Sequence, residues 1–415
     1  MVTGLVAGSD AWSAAGSDVR LVASLVSLQV PLPAISGICG FEGLVARISG
    51  YSSGIGICLT ELRIIWGKGA HMKRVLVIAT GGTIASAEEG SGLAPALTGE
   101  QLVAFVPEVA QMRHIEVSQV MNVDSTNMRP EGWLTIAGEV RRRYDDFDGF
   151  VVLHGTDTLA YTAAGLSYLV QGRSKPIVLT GSQLPMGDPG TDGKRNLLDA
   201  VLVACDDAAA GVMVAFGGKV ISGTAARKVR TRSFEAFDSL NALDLGRVRD
   251  GRVEWADGAC GQMCGAARAC AAEEVGGAPS SARFYDALNP RVAVLKLTPG
   301  MDALVVDALR PACDALVVEA FGLGGIPEYD GITETLLAWV DAGKTLVMTT
   351  QCPYEGADLS VYEVGRAFCD RPGVFMGAAA TTEALLAKTM WALAQAADPD
   401  GIVDREKLAE LFASC

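Results

Sequence analysis

From Met72 onward, short apolar runs alternate with stretches of helical period, and this alternation constrains the fold more than any other feature. Residues 74–80, 115–120, 150–153, 177–180 and 212–216 are such runs, most of them β-branched and nearly continuous. Strands covered on both faces, as in a parallel sheet, read this way. Helical patterns lie between them. One opens near Pro130 and puts Trp133, Ile136, Ala137, Val140 and Tyr144 on a single face. Another opens near Thr98, with Gln101 three residues on as a capping-box partner. Alternating β and α elements predict a doubly wound α/β architecture with a mostly parallel sheet.

A second, smaller α/β block follows. Residues 292–297, 315–319 and 345–350 are strand-like, and helices are expected near 361–369, 382–394 and 405–412. The stretch 246–289 is rich in Gly, Ala, Ser and charge and reads as an inter-domain connection with a strand or two at its start. The expected organisation is an appendage (1–71), a larger domain carrying the catalytic loops (72–250), a connection (251–290) and a smaller carboxy-terminal domain (291–415).

Charge separates the appendage from the rest. The chain carries 34 basic and 48 acidic residues, a formal charge of −14. Residues 1–71 hold Arg20, Arg47, Arg63 and Lys68 against Asp10, Asp18, Glu42 and Glu61, a balance of zero. The whole excess therefore belongs to the residues from Met72 on, which begin Met-Lys-Arg-Val-Leu-Val-Ile. We read 1–71 as a poorly packed appendage without a sustained strand or helix period, and Met72 as an alternative start. Residues 21–41 are an uncharged run, but Gln29, Pro31 and Pro33 break it as a membrane span, and Asp10 and Asp18 spoil the stretch before it as a leader. The expectation is a cytoplasmic protein with reduced cysteines and neither membrane nor nucleic-acid partners, since nucleic-acid binders carry a basic face.

Ligands of open parallel sheets bind beyond the carboxyl ends of the strands. Here those ends read Thr80-Gly81-Gly82-Thr83, Asp124-Ser125-Thr126, His154-Gly155-Thr156-Asp157-Thr158 and Thr180-Gly181-Ser182-Gln183. Four consecutive ends rich in hydroxyls, glycines and carboxylates exceed what turns and caps require. Familiar motifs do not account for them. Gly81-Gly82-Thr83 is not a dinucleotide fingerprint. Gly343-Lys344-Thr345 has Ala338 where a P-loop needs its first glycine, and it runs from helix to strand rather than from strand to helix. The three histidines, His71, His114 and His154, form no zinc motif, and no G-x-S-x-G elbow occurs. Cys260, Cys264 and Cys270 lack metal-ligand spacing, so no metal is expected. What remains is hydroxyl chemistry without histidine. A threonine needs a neighbouring base, a lysine serves if kept partly neutral, and exposed backbone N–H groups stabilise an oxyanion. Asp157 is placed to orient such a lysine or to bind a substrate ammonium.

At these residues the sequence resembles the bacterial-type L-asparaginase family, closest to short cytoplasmic and archaeal forms. Ala79-Thr80-Gly81-Gly82-Thr83-Ile84-Ala85-Ser86 is similar to its first signature and Leu153-His154-Gly155-Thr156-Asp157-Thr158 to its second. Asp124-Ser125-Thr126, Thr180-Gly181-Ser182-Gln183 and the stretch containing Lys228 fall at the expected places, and Thr350-Gln351 with Tyr362-Glu363-Val364-Gly365-Arg366 resembles its carboxy-terminal domain. The resemblance spans about residues 73–398.

It implies hydrolysis of the side-chain amide of L-asparagine to aspartate and ammonia without a cofactor. It further implies Thr83 as nucleophile, Thr156 and Lys228 as a second hydroxyl–base pair, and Asp157 beside them as the partner of the substrate ammonium. Ser125, next to Asp124, would hold the substrate carboxylate, and Gln183 would lie near the amide. Glu363 would come from a neighbouring subunit of a homodimer or homotetramer whose sites form at subunit interfaces. One departure stands out. The family places a tyrosine on the loop after the nucleophile, and Leu93 occupies that position here; Tyr285 and Tyr362 are the candidate substitutes. Each site residue also has a plainer reading. Thr83 and Asp157 would cap helices, Ser125 would sit in a turn, Lys228 would join Arg227, Arg230 and Arg232 on a basic face, and Glu363 would pair with Arg366. His154 reads as a satisfied core histidine. Two rival functions are an asparaginase-like subunit of a tRNA-dependent amidotransferase, which carries a strand-rich amino-terminal extension, and an inactive asparagine-binding paralogue.

Overall fold

The computed structural model describes residues 73–89, 92–95, 97–110, 114–172, 175–259, 282–369 and 371–414, and short backbone stretches within 44–66. Residues 1–72 form a unit of their own, separate from 73–415. Within that unit Leu44–Ser49 pairs antiparallel with Glu61–Trp66, and Ser52–Ser53 pairs with Gly56–Ile57. The sequence pattern does not predict these strands. Val45, Ile48, Ile64 and Ile65 favour the extended chain without a strict alternation to announce it. The expectation of poor packing in 1–71 falls outside the described residues.

The larger domain is built on an eight-stranded sheet. Its strands are β1 (Val75–Gly81), β2 (Ile115–Val123), β3 (Gly149–Leu153), β4 (Ile177–Thr180), β5 (Val212–Phe216), β6 (Lys219–Ser222), β7 (Gly246–Arg249) and β8 (Arg252–Trp255). The spatial order is β8-β7-β6-β5-β4-β3-β1-β2. The five strands from β2 to β5 are parallel, and β6, β7 and β8 extend the sheet antiparallel. β8 therefore continues the large sheet past residue 250.

Period-two burial explains the two covered faces. Leu76 and Ile78 of β1 enter one core, whereas Val75 and Val77 enter the core on the opposite face. Helix α1 (Pro130–Arg142) starts with proline in its first turn and buries Trp133, Ile136, Ala137 and Val140. It ends before Tyr144, which the sequence period places on its face. Tyr144 sits in the next turn, its ring stacked 6.0 Å from Phe150, so it joins the same core from outside the helix. The Thr98–Gln101 capping box is present. Helix α2 (Leu159–Leu169) is buried on nearly all sides, and α3 (Gly193–Cys205) covers the opposite face.

The second sheet is β9 (Val292–Lys296), β10 (Ala315–Ala320), β11 (Thr345–Thr350) and β12 (Val374–Met376), parallel throughout and in sequence order. Helix α4 (Thr382–Ala396) lies between the two sheets. Its Trp391 stacks 5.9 Å from Tyr168 of α2, and one hydrophobic cluster runs from Leu76 to Val317. The helix expected over 361–369 is confined to Glu363–Arg366, because Tyr362 is extended (φ −105°, ψ 144°). Gly343 is left-handed (φ 85°) just past a helix end, and Lys344 bonds Asp314, so Gly343-Lys344-Thr345 is a helix stop followed by a strand. Cys260, Cys264 and Cys270 fall outside the described residues; among those described, no group of ligands could hold a metal.

Candidate active site

The strand order locates a crevice before any side chain is considered. From β1 the chain moves to β2 on one side, then crosses to β3 on the other. A parallel sheet opens at such a reversal, beyond the strand ends. Thr83 follows β1, Ser125 follows β2 and Thr156 follows β3, so all three emerge at this edge.

Glycines allow these ends to meet. Gly82 has φ 81°, and a Cβ there would lie 2.3 Å from the Gly155 backbone. A Cβ on Gly155 would lie 2.5 Å from Ser125 Oγ. No other residue fits either position, so Gly82 and Gly155 bring the three hydroxyl-bearing turns into van der Waals contact. Further bonds fix the approach. The Thr80 hydroxyl donates to the Leu153 carbonyl (2.8 Å), and the Thr158 hydroxyl donates to the Ser125 carbonyl (2.7 Å).

Thr83 begins a short 3-10 turn (Thr83–Ala85) and is half-buried. The expected capping role is absent: Ser86 bonds the Gly82 carbonyl, and the Thr83 hydroxyl has no partner among the described residues. Thr156 is buried at 4% exposure. Its hydroxyl donates weakly to Gln183 Oε1 (3.3 Å) and accepts from Lys228 Nζ (2.7 Å). Lys228 also donates to Asp157 Oδ1 (2.7 Å). A chain thus runs from Gln183 through Thr156 and Lys228 to Asp157. Lys228 is therefore not part of a solvated basic face. Nor does Asp157 cap α2; Thr158 occupies that position and turns its hydroxyl to Ser125. Asp157 is 55% exposed, and beyond the Lys228 pair its Oδ2 has no partner among the described residues.

The other residues singled out from the sequence divide. Ser125 is buried at the crevice, with no partner for its hydroxyl among the described residues. Asp124 is exposed, and its Oδ1 accepts from the backbone and hydroxyl of Thr126, both at 2.8 Å; it holds the turn. Glu363 is exposed on its short helix, and no bond joins it to the Thr156 cluster or to Arg366 among the described residues. Leu93 lies on a hairpin, Ser86–Glu89 with Gly92–Pro95, opposite Glu88. Tyr285 does not replace the missing tyrosine. Its backbone bonds Leu169 at the far end of α2, and its ring packs on Trp391. The 11-residue helix separates that end from Asp157 by about 16 Å. Tyr362 is 52% exposed beside Glu363.

His154 is fully buried, bonded through Nδ1 to the Gly155 carbonyl and through Nε2 to the Thr162 hydroxyl. Burial pulls its pKa down to about 4, against the smaller upward effect of the Gly155 bond. It is neutral in the working range and shapes the Gly155 turn.

Two residues escape the sequence reading. Asp192, buried at the start of α3, accepts from the backbone N–H groups of Gln183 (3.0 Å) and Leu184 (3.2 Å) and from Asn196 Nδ2 (3.0 Å). Asn196 Nδ2 also donates to the Gly181 carbonyl (2.9 Å). Together they fix the loop that aims Gln183 at Thr156. The available signal was Asp192 and Asn196 spaced i, i+4 at a helix start, which looks like ordinary capping.

Residues 74–260 match the family model described as asparaginase, N-terminal, and 291–404 match the glutaminase/asparaginase C-terminal domain. The chain is 37% identical over 335 residues to an L-asparaginase of Thermococcus kodakarensis, covering 79% of this chain and 95% of that protein. It is 33% identical over 339 residues to a glutamyl-tRNA(Gln) amidotransferase component of Pyrococcus furiosus, covering 79% of this chain and 74% of that component. The solved structure of the thermostable T. kodakarensis L-asparaginase superposes with a TM-score of 0.69 at 34% identity, covering 82% of this chain and 98% of that one.

Proposed function

This chain belongs to the asparaginase family of amidohydrolases, and from that premise we propose that it hydrolyses L-asparagine to L-aspartate and ammonia. One observation carries the reading: Lys228 Nζ lies 2.7 Å from both Thr156 Oγ1 and Asp157 Oδ1 at the strand end touching the Thr83 turn. In this scheme Thr83 Oγ attacks the side-chain amide carbon. Its proton passes to the departing nitrogen, which leaves as ammonia, and a β-aspartyl ester on Thr83 remains. Water then attacks the ester, releases aspartate and restores the hydroxyl. Thr156 with Lys228 accepts and returns the proton. As an ammonium, Lys228 donates to Thr156; as a neutral amine it takes the proton, and the Asp157 carboxylate stabilises the charged form.

The substrate is a zwitterion, so it needs an anion site and a cation site at fixed spacing. The Ser125 hydroxyl and Asp157 Oδ2, neither with a partner among the described residues, suit its carboxylate and its ammonium respectively. Backbone N–H groups at the glycine-rich turns suit the developing oxyanion. Asp124 acts by shaping the turn beneath Ser125, and Gln183 orients the Thr156 hydroxyl. Glu363 faces solvent in its own chain, which supports a homo-oligomer in which it completes a neighbour's site. The described cysteines Cys205, Cys313, Cys352 and Cys369 are free thiols, which suits a reducing, cytoplasmic location. Among the described residues no helix is long and apolar enough to cross a membrane.

The match spans 95% of the asparaginase relative but 74% of the amidotransferase component, which favours free asparagine as substrate. An ammonia-release assay with L-asparagine, L-glutamine and D-asparagine, without tRNA, tests the reading. Turnover of L-asparagine alone or foremost supports it. Release only with charged tRNA and partner subunits would assign the amidotransferase role instead, and binding of asparagine without release would assign a sensor.

A further inference from the structure

Lys228 does not lie on the large sheet. It ends a three-residue strand, Ala226–Lys228, whose only strand partner among the described residues is Phe237–Ser239. Two catalytic contacts therefore depend on a small hairpin, and what fixes that hairpin fixes the base.

The first domain anchors the far strand. Phe237 packs on Phe216 with ring centres 5.0 Å apart, and Asp238 pairs with Lys219 at 2.5 Å. The near strand is anchored from the second domain. Side chains alternate across a strand, so Arg227 points away from the face on which Lys228 meets Thr156. Arg227 Nε lies 3.7 Å from Glu383 Oε1, in the first turn of α4. Glu383 is 7% exposed, and its Oε2 is buried without a hydrogen-bond partner among the described residues. Burying a carboxylate this way costs free energy unless a counter-charge is near. Burial raises the Glu383 pKa; its own backbone N–H and then Arg227 oppose the rise, and nearby Glu319 adds to it. Glu319 itself is engaged by Lys296 (2.9 Å) and by the Thr382 hydroxyl (2.6 Å). Arg227 is thus the cation that faces Glu383. Flanking bonds run between the same two parts. The Thr381 hydroxyl donates to the Thr224 carbonyl (3.2 Å). Asn241, left-handed at φ 55°, donates to the carbonyls of Pro353 and Ala379 and accepts from the Glu355 N–H.

We infer that the second domain positions the catalytic base: Glu383, through Arg227, holds the Ala226–Lys228 strand so that Lys228 reaches Thr156 and Asp157. Glu383 and Arg227 are positioning residues. This inference rests on the proposed asparagine hydrolysis for its kinetic readout, and on backbone exchange for a readout independent of it.

The test compares the full-length wild type with Glu383→Gln, Arg227→Met, Arg227→Lys and the Glu383→Gln/Arg227→Met double variant. Glu383→Gln and Arg227→Met should each lower kcat roughly 10- to 100-fold with KM nearly unchanged, because a base misplaced by about 1 Å loses that much. The double variant should lose no more than the worse single, since both break one link. Arg227→Lys, which keeps the charge, should recover most of the rate. Amide exchange across 224–241 should quicken in the two single variants. Unchanged kcat in both, multiplicative losses in the double, or Arg227→Lys as slow as Arg227→Met would overturn the inference. Should the wild type release no ammonia, the proposed function fails by itself. Exchange in 224–241 then decides: quickening in Glu383→Gln supports the link, and unaltered exchange removes it.

Discussion

Both the larger sheet, with its five parallel strands, and the smaller, all-parallel one end in loops at a carboxyl edge, and the two edges do different work. At the first, the hydroxyls of Thr83 and Ser125 have no partners among the described residues, and Thr156 meets a lysine. At the second, the Thr350 hydroxyl bonds the Gly322 carbonyl, and Gln351 Nε2 bonds the carbonyls of Leu297 (2.6 Å) and Glu319 (3.1 Å). The same residue types are free for chemistry in one place and committed to structure in the other. Strand order accounts for the contrast. The first sheet reverses direction between β1 and β3, which opens a crevice. The second runs β9 to β12 without reversal, so its strand order supplies no such crevice. Glycines sharpen the difference by letting three turns of the first edge touch.

The contrast can be broken or sharpened by substitution, beginning with the largest effect. Lys228→Met should reduce kcat for asparagine roughly 10²- to 10⁴-fold, the usual worth of a positioned proton acceptor, with the thermal midpoint little changed. A mild loss would mean that the first edge works without its base.

A stability effect comes next. His154 lies beneath the first edge with its pKa depressed from 6.5 to about 4. Between these values the unfolded chain binds a proton that the native chain does not. Stability is therefore retained above pH 6.5 and falls as pH drops towards 4, by at most about 3 kcal/mol from this one residue. His154→Gln should flatten that part of a denaturation–pH profile relative to wild type. An identical slope in both would show that His154 is not buried as a neutral ring.

Ser125→Ala should weaken kcat/KM roughly 10- to 100-fold, mainly through KM, as loss of a hydroxyl bond to a carboxylate does. A pure kcat effect would move Ser125 from binding to chemistry. The smallest effect belongs to the second edge. Thr350→Val should cost about 1–2 kcal/mol of stability and leave kcat nearly intact. If it instead abolished turnover in a stable protein, the division between the two edges would fail.

Much of this is legible in the sequence, for reasons that differ by residue. Continuous, largely β-branched runs mark eight of the twelve strands, β1 to β5 and β9 to β11, to within a few residues, whereas the short β6 and β12 carry no run long enough to announce them. β2 corrects one part of the reading: it is the edge strand and no residue of it is buried, so its run does not signal cover on both faces. The turns bearing Thr83, Thr156 and Asp157 are visible because hydroxyls, glycines and a carboxylate concentrate there. Tyr144 reads as part of α1 because helical period continues past a chain that has already turned. Asp192 and Asn196 are hidden because their partners lie on another loop, and spacing along the chain resembles capping. Glu383 is invisible for a similar reason: its partner Arg227 is 156 positions away in sequence (383 − 227), and only the packed structure brings them together. The strands within residues 44–66 lack the alternation that would announce them.

The most direct test of the central claim is the rate of ammonia release from L-asparagine by wild type, Thr83→Ala and Thr156→Ala, each checked for an unchanged fold by circular dichroism. The account predicts turnover by wild type and a loss of at least about 10³-fold in each folded variant, as expected for residues that act as a unit. Near wild-type turnover in either variant would contradict it.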